Sequence, residues 1–195
     1  MSKILIMPSN QKQLEIKSDG VIVGIKDLSV GVLELDASEI KNINDKEVFV
    51  SINKNISNKE LDYLKKVLLE LNETNIKGVI FYDLAIPNLK EELNLKYALI
   101  WNQCHHTTNS KTALFWANYV EGVWISNDIT LEEMKKMSNI NLLTMVTLFG
   151  YLPMFVSKRP LISNYLKTFN LDSKSKYYLS KEGKKYPIFE NTGVQ

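Results

Sequence analysis

The residues able to do chemistry sit mostly at the ends of short apolar runs. Asp83 closes the run Val79–Tyr82, and Asn102 and Gln103 follow the run Ala98–Trp101. Lys26 and Asp27, Asn53 and Lys54, Ser126 to Asp128, and Phe149-Gly150 stand in the same place after other runs. The set is polar and rich in amides. It can bind a ligand, but it lacks the pair of carboxylates with a base that general acid–base catalysis uses. Asp83 and Asn102 are the catalytic candidates on this face; a solvated loop or a helix cap is the competing role for each. Cys104-His105-His106 is the one cluster of soft donors, yet neighbours on an extended chain point to opposite faces and rarely share one ion. No metal site is assigned to it, and no cofactor is expected. Cys104 is also the only cysteine, so no disulfide can form within the chain.

A second group lies near the C-terminus. Of the 24 basic residues only Arg159 is arginine. Its planar fork suits carboxylate or phosphate in a way that lysine does not. Ser157, Lys158 and Arg159 form the candidate binding corner, with Arg159 as anchor and a further catalytic candidate. Residues 158–195 carry eight Lys/Arg and three Asp/Glu, a balance of +5, whereas residues 1–157 balance at −3. Tyr165 and Tyr186 are the candidate binding aromatics of this basic tail. Aromatic rings beside lysines are what a single-stranded RNA surface needs, and also what a packed hairpin with solvated lysines looks like.

These residues need elements to hold them. The apolar runs Ile4–Met7, Val21–Ile25, Val48–Ile52, Val79–Tyr82, Ala98–Trp101, Val123–Ile125 and Leu142–Leu148 have strand length. Several are apolar at every position, as in a parallel strand buried on both faces. Helices alternate with them. Ser57 to Glu60 and Thr130 to Glu133 are capping boxes. Leu61, Leu64, Leu68 and Leu71 then line one helical face, and Pro87 suits the first turn of a helix through Leu93. Asn109 is expected to cap a helix through Asn118 that buries Leu114, Phe115 and Trp116. A short helix is expected near Ser38–Asn42. No glycine-rich loop follows the first strand, which removes the dinucleotide-binding open sheet. The fold class expected is α/β: an incomplete TIM-like (β/α) barrel of about seven parallel strands. A helix at Leu161–Phe169 and a hairpin turning at Gly183 should come after it. The organisation expected is one domain, with barrel repeats over 1–157 and a basic extension over 158–195.

With 195 residues, 45% hydrophobic and 24% charged, the composition is that of a soluble globular protein. No apolar run reaches the length of a membrane helix, and the N-terminus is too short in its apolar part for a signal peptide. A cytoplasmic protein without a membrane partner is expected.

The segment from Phe149-Gly150-Tyr151-Leu152-Pro153 through Ser157-Lys158-Arg159-Pro160 to Tyr165 resembles the signature region of the collagenase-like peptidase family U32. So does Lys184-Lys185-Tyr186-Pro187-Ile188-Phe189-Glu190-Asn191. Asp19 to Gly24, Phe81 to Leu84 and Gly122 to Ser126 fall in the family's order. The resemblance implies a barrel-like fold and a peptidase or hydrolase label. It also implies kinship with enzymes that hydroxylate RNA or quinones with a cysteine-held iron–sulfur cluster, often as paired related subunits. The departures are specific. Against the family pattern, Met145 replaces a glutamate, Phe149 a frequent histidine, and Pro153 and Pro160 two cysteines. Proline offers no thiolate. These departures lead to the expectation of a pseudoenzyme: a family member that partners a longer paralogue or a second copy of itself. A hydrolase and an RNA-binding subunit of an RNA-modifying enzyme are the alternatives. Family chains run on past the Tyr186-Pro187-Ile188-Phe189 segment, so two expectations stand for the eighth strand: it was lost by truncation, or a partner supplies the missing edge.

Overall fold

The computed structural model describes residues 2–103, 106–137, 139–150, 157, 160–174, 176–188 and 190. The chain divides into two compact units, residues 1–150 and 151–195. Among the described residues no helix is long and apolar enough to cross a membrane.

In the first unit the strands are β1 (Leu5–Ile6), β2 (Gly20–Ile25), β3 (Glu34–Leu35), β4 (Glu47–Ile52), β5 (Gly78–Phe81), β6 (Ala98–Trp101), β7 (Gly122–Trp124) and β8 (Leu143–Met145). Helices α1 (Ala37–Lys41), α2 (Leu61–Asn72), α3 (Ala85–Leu93), α4 (Ser110–Trp116) and α5 (Leu131–Met137) alternate with them. The sheet is parallel throughout and runs β1-β2-β4-β5-β6-β7-β8, a half-barrel curled on itself. Those seven strands are the seven apolar runs of the sequence, in the same order. β3 was not expected. It pairs with the C-terminal half of the β2 edge whose N-terminal half holds β1. The Leu33 amide donates to the Pro8 carbonyl at 2.7 Å, so β1 and β3 lie one after the other along a single edge.

The two faces of the sheet differ. Val21, Val23, Ile25, Val48, Val50, Ile52, Val79, Phe81, Leu99 and Trp101 point outward and are buried under the helices. Ile22, Phe49, Ile80, Ile100 and Met145 form a smaller cluster on the inner face. Glycine makes the curl tight enough to close that inner cluster. A Cβ on Gly78 would lie 2.6 Å from Ile100 Cδ1, and one on Gly122 would lie 3.1 Å from Ile100 Cγ1. Ile100 therefore occupies the space that side chains at both neighbours would need.

The helices keep the sequence signals, with one correction. α2 begins after its Ser57–Glu60 box and buries Leu64, Val67, Leu68 and Leu71. α3 takes Pro87 in its first turn and stops at Asn94, whose φ of 52° is left-handed. α4 is capped by Asn109, which accepts from the Thr112 amide at 3.0 Å. It buries Ala113 and packs Trp116 on Trp101, with ring centroids 4.0 Å apart. Leu114 and Phe115, expected in the core, are 47% and 56% exposed. Ala113, Trp116 and the buried Val120 share the inward stripe at spacings of three and four, which turns Leu114 and Phe115 to solvent.

The second unit contains α6 (Leu161–Phe169) and an antiparallel hairpin of β9 (Tyr177–Lys181) and β10 (Lys184–Ile188). Glu182 and Gly183 form its two-residue turn, both left-handed at φ 51° and 76°. That geometry matches the twist of the strands.

Candidate functional site

The C-terminal ends of parallel β/α strands meet on one face, where loops can converge. Here the register sets the layers. Ser51, Ile80, Ile100 and Gly122 lie side by side on the inner face. Two residues further along each strand, period-two alternation brings Asn53, Tyr82, Asn102 and Trp124 into the next inner layer. Trp124 packs against the inner cluster and is only partly buried. The mouth is therefore floored by isoleucines and lined by amides, a phenol and an indole.

Each member has a definable role. Asn53 faces the loop after β2: its Oδ1 accepts from the Val30 amide at 2.8 Å, and its Nδ2 donates to the Val30 carbonyl at 2.9 Å. Ser29, buried beside it, accepts from the Ile25 amide at 2.8 Å and donates to the Ser51 carbonyl at 2.5 Å. Lys54 donates to the Asp27 carbonyl at 2.6 Å, with Asp27 at φ 65°. These contacts fold residues 27–33 over the β2–β4 half of the mouth. Lys26 pairs with Asp36 at 2.5 Å, and that hydrogen bond raises its pKa.

Asp83 follows the C-terminal end of β5, and both its carboxylate oxygens hold backbone. Oδ2 accepts from the Ile56 amide at 2.8 Å and Oδ1 from the Ala85 amide at 2.9 Å. It ties the loop after β4 to the start of α3. Gln103 donates to the Tyr82 carbonyl at 3.2 Å. Asn102 is 8% exposed, and its Oδ1 has no hydrogen-bond partner among the described residues. On the β7–β8 side, Trp124 Nε1 and Asn127 Nδ2 both donate to Thr147 Oγ1, at 3.2 and 3.4 Å. Trp124, Thr147 and Ser29 do not stand out in the sequence. Counting alternation outward from buried Val123 places Trp124 inward; nothing local marks the other two.

A concavity also lies away from the strand ends. A groove of about 470 Å³ lies between α1 and α2, lined in part by Asp36, Lys41, Tyr63 and Glu70. It is open to solvent, and its Asp36 and Tyr63 are already engaged with Lys26.

In the second unit, Tyr165 is 57% exposed and its ring lies 4.7 Å from that of Phe169. Tyr186 is half-buried on β10, opposite Leu179. Lys181, Lys184 and Lys185 are exposed around the turn. Ser157 is exposed, and Lys158 and Arg159 lie outside the described residues. The N-terminus of α6 receives the Glu190 carboxylate, which accepts from the Ile162 amide at 2.8 Å, from the Ser163 amide at 3.1 Å and from the Ser163 hydroxyl. The Ser163 hydroxyl bond, with the two amides, holds the Glu190 pKa below its ordinary value.

An iron–sulfur cluster held by cysteines, which the family resemblance implies, has no matching donor set. Cys104 is the single cysteine, Pro160 opens α6 where a ligand would stand, and Pro153 lies outside the described residues. Among the described residues no three His, Cys, Asp or Glu side chains gather closely enough to hold a metal. The residues present do not fit that group.

The model of peptidase family U32 matches residues 16–182. An uncharacterized protease of Methanocaldococcus jannaschii is 25% identical over 182 residues, covering 83% of this chain and 44% of that protein. The chain thus spans less than half the length of the curated relative it matches. No solved structure matches it. With most of its length inside the family match, the chain belongs to peptidase family U32.

Proposed function

We propose that this chain is a non-catalytic subunit that binds and positions, working in the cytoplasm beside a longer member of its own family. The observation that supports this most is the state of Asp83. A general base must be free to take a proton from water or a nucleophile. Asp83 instead holds two backbone amides. Prolines in place of two ligand cysteines point the same way. The outer edge of β8, which no strand pairs among the described residues, suits a chain that completes itself on another.

The test is co-expression with a longer, cysteine-complete family member from the same genome. The expected result is a stoichiometric complex in which iron follows the longer chain. Casein or gelatin hydrolysis by this chain alone, abolished by Asp83→Asn, would overturn the reading in favour of the hydrolase. RNA binding by the second unit is a further reading, favoured by the exposed Tyr165–Phe169 pair and the lysines at the hairpin turn. Salt-dependent binding of single-stranded RNA, weakened by Tyr165→Ala, would support it.

A further inference from the structure

Three buried side-chain polar atoms among the described residues lack any partner: Trp101 Nε1, Asn102 Oδ1 and Thr107 Oγ1. All three lie in one stretch at the C-terminal end of β6. Trp101 belongs to the outer core and stacks on Trp116, so its indole is enclosed by packing. Asn102, one residue on, points the other way, into the mouth. A buried amide oxygen without a protein partner is costly, and native proteins keep one where a water, an ion or a ligand supplies the bond.

The surroundings narrow what that is. The Asn102 amide presents an acceptor and a donor side by side. Trp124 lies beside it on β7, one flat indole with its Nε1 already turned away to Thr147. Thr147 Oγ1 accepts two hydrogen bonds, which leaves its proton to give. By register Asn102 stands level with Trp124 and Met145, and Thr147 lies one layer further along β8, more than about 10 Å from Asn102 by strand spacing, so Asn102 and the Trp124 face are the contacts for one small ring. Asp83 is occupied, and Asn102 carries no charge to balance an ion taken out of water.

We propose that the mouth between β6 and β8 binds a planar, uncharged lactam. Its N–H donates to Asn102 Oδ1, its carbonyl accepts from Asn102 Nδ2, and its ring lies on Trp124. The proposal rests on reading this face as a binding surface, and its test is independent of any partner subunit. The probe is α-pyridone, titrated into the full chain by calorimetry or ligand-observed NMR, with N-methyl-α-pyridone and benzoate as controls. The expected result is binding of α-pyridone at least about tenfold tighter than of either control, lost by about tenfold in Asn102→Leu. Asn102→Leu should also melt no lower than the parent, because it removes an unpartnered polar group. Equal binding of the N-methyl compound, unchanged binding in Asn102→Leu, or no binding at all would overturn the proposal. So would a clear fall in the melting temperature of Asn102→Leu, which would show that the amide serves the fold. Loss of partner capture with pyridone binding intact would overturn the subunit reading alone.

Discussion

Asn53 and Val30 exchange two hydrogen bonds, an amide side chain against a backbone N–H and C=O, at 2.8 and 2.9 Å. The side chain thereby acts as a strand would and fixes the loop after β2 over its half of the mouth. Asn53→Leu leaves both Val30 groups half-buried without a partner. A loss of about 1–3 kcal/mol in urea denaturation is expected. Asn53→Asp keeps the acceptor and loses the donor, so it should fall between parent and Asn53→Leu.

Asp83 makes a parallel case. Asp83→Ala frees the Ile56 and Ala85 amides and should cost about 1–3 kcal/mol. The measurement is thermal or urea unfolding. A variant as stable as the parent would show that the carboxylate is held in reserve for chemistry.

These two residues show how far the sequence could be read. Asn53 and Asp83 were visible as strand-end residues because the runs before them are apolar and β-branched. Their roles were not visible, since each depends on amides that come from loops distant in sequence. β3 escaped for the same reason. Glu34-Leu35 ends the stretch Val30-Gly31-Val32-Leu33-Glu34-Leu35, where Gly31 and Glu34 break the apolar run, and it becomes a strand through its bonds to β2 and the Leu33 bond to Pro8. The misplacement of Leu114 and Phe115 has another cause: a seven-residue helix in which Ala113, Leu114, Phe115 and Trp116 are apolar in a row has no clear face until Trp101 selects Trp116. Asn102 was legible as a position, but its lack of a partner is a property of the folded mouth.

Gly78→Ala tests the curl of the sheet. The added Cβ meets Ile100 Cδ1 at 2.6 Å and the Ala98 carbonyl at 2.8 Å, and the carbonyl belongs to the ladder and cannot withdraw. Overpacking of this kind costs about 1–3 kcal/mol. Ile100→Val in the same chain should return part of the loss, because it retracts the nearer atom. A double-mutant cycle by urea unfolding measures that coupling.

The cap of α6 gives a pH dependence. Glu190 has its folded-state pKa lowered from 4.5 by the Ser163 hydroxyl and the Ser163 and Ile162 amides. The unfolded carboxyl therefore binds its proton first as pH falls. The stabilising contribution is whole above about pH 4.5 and is lost as pH drops through the lower folded value. NMR titration of the Ile162 and Ser163 amides should show that transition below pH 4.5. Glu190→Gln should abolish it and speed hydrogen exchange in the first turn of α6.

The outer edge of the sheet gives the chain a surface on which association can be tested. In the parallel ladder with β7, the Leu143 amide donates to Glu121 and the Met145 carbonyl accepts from Ile125, so Leu143 and Met145 face β7. By alternation the N–H and C=O of Thr144 and Val146 point to the other side. There no strand pairs with β8 among the described residues; the hairpin forms a separate two-stranded sheet. An edge of this kind is a template for another chain. Leu143, Val146 and Leu148 are exposed beside it. Association is therefore expected, with a second copy or with the longer family member, and light scattering behind a sizing column detects the first. Thr144→Pro removes one outward N–H and no bond to β7, so it should keep the fold while weakening association. A parent that runs as a clean 22.4 kDa monomer at high concentration, alone and mixed with the longer member, would show that this edge takes no partner.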